Sequence, residues 1–173
     1  MQMVPVFMSD SRFDEIVGRI TESYPNACVL YIDEIVNPEL EQEYQTRREI
    51  IRCNRGSVTE MRLFHGTSEN NIEKIASGGF DPSLNKRAAF GYGVYFAKNA
   101  SYSSAYMTSV RPENHTFMFM CDVLVGNQGT LGKQGDQMID NNVDNFIDPK
   151  IITTVYKDGA YPRYIIAFYK DAK

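Results

Sequence analysis

Along the chain, apolar residues recur at helical spacing at Phe13, Ile16, Val17 and Ile20, behind Asp10 and Ser11, two favourable N-cap types, and Pro25 closes the pattern. A first helix is expected over about 11–23. Residues 27–36 are β-branched and aromatic between an Asn-Ala pair and Asn37-Pro38, which reads as a strand. Asn37 then caps a second helix with Pro38 in its first turn, where a missing N–H costs nothing. Leu40, Tyr44, Arg47 and Ile51 share a face of that helix, and Glu43 with Arg47 makes a favourable i,i+4 pair. Met61 to Phe64 reads as a short strand, and Ile72, Ile75 and Ala76 as the buried side of a helix ended by Gly78-Gly79. Residues 80–93, with Pro82, Asn85, Lys86, Arg87, Gly91 and Gly93, have no period, and a loop of that length inside a domain is usually functional.

Val94 to Ala97 is a further strand, and Asn99 is placed to cap a helix through Met107. Thr116 to Val125 is apolar almost throughout, as in a strand buried on both faces. Residues 126–148 are rich in Gly, Asn and Asp and read as loops. Two last strands, about 151–156 and 163–169, flank Lys157-Asp158-Gly159-Ala160, a hairpin signal. The order of helix, strand, helix and then mostly strands is not the regular alternation of a doubly wound sheet, so the class is α+β. Gly91-Tyr-Gly93 lacks a third glycine and precedes a strand, which removes it as a dinucleotide fingerprint. No internal repeat, low-complexity segment or interdomain linker is visible.

Composition narrows the classes. With 173 residues the chain fits one domain at roughly 100–200 residues each. Its 43% hydrophobic and 23% charged residues are those of a soluble globular protein. A net charge of -4, from 18 basic and 22 acidic residues, leaves no electrostatic footprint for duplex binding, so nucleic acid is not the expected partner. Cys28, Cys53 and Cys121 are far apart and in no Cys-x-x-Cys spacing; neither a disulfide framework nor a metal site is expected. The N-terminus has no basic leader, is broken by Pro5, and no apolar run approaches eighteen residues. An intracellular protein without a membrane partner, cytoplasmic or nuclear, is the expectation.

Two groups of residues carry candidate chemistry. His65 ends a strand and is followed by Gly66 and Thr67; it is either a satisfied strand-end histidine or a ligand contact, and Gly66 favours the second because a residue without a Cβ lets a ligand approach the backbone. His115, beside Asn114 at the mouth of a strand, reads as structural or exposed. Tyr95 precedes a helix on which Tyr102, Ser103 and Tyr106 stand at i,i+3 and i,i+4. Aromatic residues so spaced often form core, but a hydroxyl among them suits a planar ligand bearing an amide.

The spelling of these motifs adds a resemblance. Leu63-Phe-His65-Gly66-Thr67, then Gly91-Tyr-Gly-Val-Tyr95-Phe-Ala and Ser101-Tyr-Ser103-Ser-Ala-Tyr106, closely resemble the catalytic domain of poly(ADP-ribose) polymerase-like, diphtheria-toxin-type ADP-ribosyltransferases. Val29 to Leu40 with Tyr44 is similar to the family's region before the histidine, and Val123-Leu-Val-Gly126, Asp140-Asn-Asn-Val and Asp158 to Ile166 are similar to its C-terminal half. The resemblance covers residues 10–170. It implies a catalytic domain over 10–173 behind an N-terminal extension, 1–9, on the family's fold of mostly antiparallel split sheets with a few helices.

The resemblance also implies that NAD+ is the substrate and is consumed, with no metal. At the matching positions Gly66 holds the carboxamide through its backbone and Ser103 through its hydroxyl, Tyr106 and Tyr95 flank the nicotinamide ring with Tyr102 beside them, His65 contacts the adenosine ribose, and Thr67 lies nearby. The late-strand glutamate of the polymerases, which activates the acceptor for chain growth, corresponds to Ile165, and an isoleucine can accept neither a hydrogen bond nor a proton. A one-residue slip would put Tyr164 or Ile166 there, still without a carboxylate. The pattern His65-Tyr95-Ile165 resembles the family's mono-ADP-ribosyltransferases, which transfer one ADP-ribose to a protein side chain, here of an unknown acceptor or of the chain itself.

Arg163 stands where many relatives carry an acid, a change expected to alter the acceptor rim, and the family's tryptophan is missing because the chain has none. Only residues 1–64 precede His65, and they hold elements of the fold itself, so a helical autoinhibitory subdomain is not expected. Two other readings stay open at this point: a catalytically silent module that binds NAD, ADP-ribose or a protein, and transfer to a nucleic acid end, with Lys86 and Arg87 placed to contact phosphate.

Overall fold

The structure, a computed structural model, describes residues 1–85, 89–109 and 115–169. Helix α1 (Ser11–Thr21) starts where expected: the Asp10 carboxylate accepts the backbone N–H of Arg12 at 2.9 Å, and Ile16 and Ile20 are its buried side. Helix α2 (Pro38–Arg55) is capped by Asn37, whose Oδ1 accepts the Leu40 N–H at 3.3 Å, and Gly56 at φ 81° ends it in the left-handed conformation. On this helix Arg47 turns to Asp158, at 2.8 Å, rather than to Glu43. Helix α3 (Ile72–Gly78) buries Ile75 and Ala76 and stops at Gly79. Helix α4 (Ala100–Ser104) is shorter than the expected run to Met107. The N–H groups of Tyr106 and Met107 bond carbonyls three residues back, on Ser103 and Ser104, so the helix tightens into a 3₁₀-like turn. Asn99 contributes its carbonyl to the first turn, and its side chain makes no cap bond.

The strands are β1 (Gln2–Pro5), β2 (Val29–Val36), β3 (Thr59–Thr67), β4 (Val94–Ala97), β5 (His115–Val125), β6 (Gln128–Gly129), β7 (Asn141–Asn142), β8 (Ile151–Thr154) and β9 (Ala160–Tyr169). Seven of them form one antiparallel sheet in the order β1-β2-β9-β5-β3-β4-β8, and β6 pairs with β7 in parallel. The sheet is nearly split between β3 and β4, which share only the pair Phe64↔Ala97. The α+β class therefore holds. Several local expectations change. Residues 2–5 are an edge strand on β2, β3 continues through His65, Gly66 and Thr67, and the stretch read as loop over 126–148 contains β6 and β7. The expected hairpin does not form: β8 pairs with β4 while β9 lies between β2 and β5. The cause is the Gly159 carbonyl, which accepts the Leu124 N–H at 2.9 Å and carries the chain onto β5 instead of back along β8.

Register fixes what the two faces carry. His65 on β3 pairs with Phe119 on β5, Phe119 with Ile165 on β9, and Ile165 with Asp33 on β2. Directly paired residues project to one face, so these four form a row. Leu63, Phe119, Cys121, Ile165 and Ile35 on that face join Phe80, Phe96 and α3 in one core cluster; Phe64, Met118, Met120, Tyr164 and Ile166 on the other join α1 and Ala100 of α4 in a second. Tyr164 and Ile166 thus face away from His65, and Ile165 shares its side. Phe119 is fully buried between His65 and Ile165. Phe119→Ala should lower folding stability by about 3–5 kcal/mol, read as a fall in the urea midpoint, because the sheet cannot collapse into the cavity; a change below about 1 kcal/mol would contradict the packing described.

Candidate active site

His65 emerges near the end of β3 with its ring against Phe80 (centroids 5.1 Å apart, edge-on) and Phe96 (5.5 Å). Its Nδ1 lies 2.8 Å from the Tyr95 carbonyl oxygen. A carbonyl only accepts, so Nδ1 carries the proton and Nε2 is left as the acceptor of a neutral ring. Burial lowers the imidazole pKa, and the bond to the Tyr95 carbonyl opposes this without reversing it.

Beyond the pair Phe64↔Ala97 the β4 side of β3 is taken by α4. A Cβ on Gly66 would overlap the carbonyl oxygen of Ser103 and stand 3.3 Å from Cβ of Tyr106. Gly66 is therefore required by the approach of this backbone, whereas the sequence suggested room for a ligand. The same approach sets Gly66, Ser103 and Tyr106 side by side. Ser103 is a buried residue, yet its hydroxyl has no hydrogen-bond partner among the described residues and is not sealed from solvent. Beside it the rings of Tyr102 and Tyr106 are 40% and 50% exposed with centroids 5.5 Å apart, which excludes the core reading for both. Tyr106 donates its hydroxyl to that of Tyr102 at 3.2 Å, and this bond, with burial, pushes the Tyr102 pKa up to about 12. Thr67 is buried, with its hydroxyl accepting from Asn71 at 3.2 Å.

Tyr95 is held at both ends. Its carbonyl takes the His65 proton, and its hydroxyl donates to the Gly91 carbonyl at 2.7 Å while accepting the Phe90 N–H at 2.9 Å. Burial raises its pKa above the usual tyrosine value. The Gly91–Gly93 turn is clamped in its own right, because Asn142 donates to the Tyr92 carbonyl at 2.9 Å and accepts the Gly132 N–H at 2.7 Å. Gly91 and Gly93 stand at φ 116° and 139°, and a Cβ on either would meet Asn142 or the backbone of Thr154 within 2.6 Å. Sequence reasoning missed Asn142 and Phe80 as supports; their signals were the Asp-Asn-Asn run at 140–142 and an aromatic directly after the glycine pair that ends α3.

The remaining candidates sort by register. Ile165 is buried across Phe119 from His65, roughly 10 Å away at two strand spacings. Arg163 bonds Asp122 at 2.8 Å and Glu41 at 3.1 Å and stacks over Tyr161 at 4.3 Å, so it ties β9 to β5 and α2. His115 opens β5 opposite Tyr169 and is not brought to His65. Lys86, Arg87 and Asn114 lie outside the described residues. Among the described residues no group of His, Cys, Asp and Glu is arranged to hold a metal ion, and no helix is long and apolar enough to cross a membrane.

Comparison with known proteins adds an independent finding. The model of the poly(ADP-ribose) polymerase catalytic domain matches residues 12–148, a stretch that holds His65, Tyr95, Ser103 and Tyr106 and ends before Ile165. The chain is 27% identical over 184 residues to protein mono-ADP-ribosyltransferase PARP14 of Homo sapiens, covering 97% of this chain and 10% of that protein. It is 26% identical over 200 residues to protein mono-ADP-ribosyltransferase PARP11 of Homo sapiens (97% and 59%) and 30% identical over 171 residues to protein mono-ADP-ribosyltransferase PARP10 of Mus musculus (90% and 17%). The chain thus spans between a tenth and three-fifths of the length of these relatives.

The environment of His65 has a consequence for stability. Below about pH 6.5, the ordinary imidazole value, the unfolded chain takes up a proton that the folded ring resists. Stability should therefore fall as pH drops from about 6.5 through the lowered folded value, and His65 should add no slope above that range. Urea midpoints measured between pH 5 and 8 should show a shallower acid-side loss in His65→Gln than in the wild type; equal slopes would mean the ring titrates normally.

Proposed function

The chain belongs to the family of poly(ADP-ribose) polymerase catalytic domains, and from that premise we propose that it is an NAD-dependent mono-ADP-ribosyltransferase acting on protein side chains, its own included, with residues 10–173 as the catalytic unit and an intracellular acceptor. In the reaction the nicotinamide–ribose bond of NAD+ breaks, nicotinamide leaves, and the anomeric carbon bonds to the acceptor, whose proton is released. The observation that carries this reading is the cluster of Gly66, Ser103 and Tyr106, with a free serine hydroxyl in an otherwise buried residue beside two open tyrosine rings. Such a site suits a flat ring bearing a carboxamide: the hydroxyl and the Gly66 backbone read the amide, and stacking on Tyr106 contributes about 0.5–1.5 kcal/mol beyond area burial.

His65, neutral and with Nε2 as acceptor, fits a role in receiving a ribose hydroxyl at the other end of the substrate. Tyr95 serves as a positioning residue through its carbonyl on His65 and its hydroxyl on the Gly91 turn. A clamped ribose lowers the barrier by orientation, and cleavage passes through an oxocarbenium-like centre as in glycoside hydrolysis. Ile165, on the His65 face, offers no group to activate a second ADP-ribose, which supports transfer of single units. Neither the silent-module reading nor transfer to nucleic acid ends gains an observation of its own.

Incubation of the chain with labelled NAD+ should give free nicotinamide and covalently labelled protein by mass spectrometry. Benzamide, which carries the same carboxamide on a flat ring, should raise the melting temperature of the wild type. Ser103→Ala should weaken benzamide binding by about 1–3 kcal/mol, the usual cost of an unmatched buried polar group; equal shifts in both proteins would place the amide elsewhere.

A further inference from the structure

A cleft of about 810 Å³ opens between the C-terminal half of α2 and the loop of residues 133–137, within the roughly 300–1,000 Å³ of small-molecule sites. None of His65, Gly66, Ser103 and Tyr106 lines it. One wall is preformed by the turn before Tyr95. Tyr92 lines the cleft, with its N–H on the Gly132 carbonyl at 2.8 Å and its carbonyl on the Asn142 amide at 2.9 Å. Two arginines are fixed there. Arg47 donates Nε to Asp158 at 2.8 Å and lies 4.3 Å over the Tyr156 ring, and its two terminal nitrogens make no hydrogen bond among the described residues. Arg55 is held by Asp140 at 3.0 Å and by the Gln137 carbonyl at 2.6 Å. Lys133, Asn54 and Gln134 line the cleft and are exposed, and their side chains have no partner among the described residues. Ile50, 41% exposed, and Val155 add apolar surface to the lining.

We propose that this cleft is a second ligand site, for a nucleoside monophosphate: Arg47 and Lys133 take the phosphate, the Asn54 and Gln134 amides read the edge of the base, and Tyr92, Ile50 and Val155 cover its face. A guanidinium held by Asp158 and by the Tyr156 ring presents its remaining N–H groups in a fixed fork that matches phosphate oxygens, with little side-chain freedom left to lose. The two amides each carry a donor and an acceptor, as base edges do. Net charge alone does not define the ligand. Asp158 and Asp140 offset the two arginines, and Asp136, in the same lining, offsets Lys133. Phosphate without a ring therefore gains too little from the cleft, and a nucleoside without phosphate leaves the donors of Arg47 and Lys133 unmatched.

The test is photolabelling of the full chain with an azido-substituted adenosine monophosphate, with the labelled peptides located by mass spectrometry. Label should fall on peptides spanning 47–55, 133–137 and 155–156. It should be displaced by adenosine monophosphate, and not by inorganic phosphate, adenosine or benzamide at the same concentration. Lys133→Glu combined with Asn54→Asp removes no bond within the protein and sets two carboxylates against the phosphate, so label in the cleft should drop about tenfold or more while the melting temperature stays that of the wild type. Label confined to peptides that carry His65, Thr67 or Ser103, label nowhere above that on an unrelated protein, or cleft label unmoved in the double variant would each overturn the site. Neither result depends on turnover of NAD+, so the transferase reading stands or falls separately.

Discussion

Cross-strand register between β3, β5 and β9 is the constraint on which the site depends. Side chains alternate between faces of a sheet, so a slip of one residue between β5 and β9 would move Ile165 to the α1 side and bring Tyr164 or Ile166 beside Phe119, and a slip between β3 and β5 would take His65 out of the row. What prevents the slip is burial on both faces. Phe119, Cys121 and Ile165 pack beneath α3 and Phe80, while Met118, Met120 and Ile166 pack beneath α1, so every shift would exchange two matched apolar sets. The bulge that follows, where Cys121 faces Pro162 and Arg163 is displaced toward Asp122, falls past these residues and leaves the row intact.

A chain of hydrogen bonds then sets the ring that this row presents. Asn142 holds Tyr92, the Gly91 carbonyl holds the Tyr95 hydroxyl, and the Tyr95 carbonyl holds the His65 ring, so a buried amide on β7 governs a side chain on β3. Each link uses a group that would otherwise be unpaired in a low-dielectric surrounding, where loss of one partner costs more than the bond contributes. On the other side of β3 the Ser103 carbonyl against Gly66 fixes α4 without any side-chain bond. Two rigid supports of different kinds therefore meet at Gly66 and His65.

Much of the fold was legible because its signals are local. Asp10 and Asn37 cap the helices they precede, and the apolar run over 116–125 is a central strand buried on both faces. The motifs around His65, Tyr95 and Ser103 also pointed to residues that the structure brings together, apart from Ile165, whose relation to His65 is one of register rather than contact. Distant partners decided what was not legible. The His65-Gly66-Thr67 segment looks like a strand end but is held by nine residues of β5 pairing; Gly66 answers to a carbonyl thirty-seven positions later; and Gly159 sends the chain to β5 because of Leu124. The roles of Asn142 and Arg163 depend on such contacts, which no period in the sequence records.

The isoleucine in the His65 row limits the product to single ADP-ribose units. Labelled product formed in excess NAD+ and resolved on a high-percentage gel should run as discrete species, each modified side chain carrying one ADP-ribose. A ladder of growing polymer would contradict the account, because nothing at Ile165 can activate an incoming ribose hydroxyl.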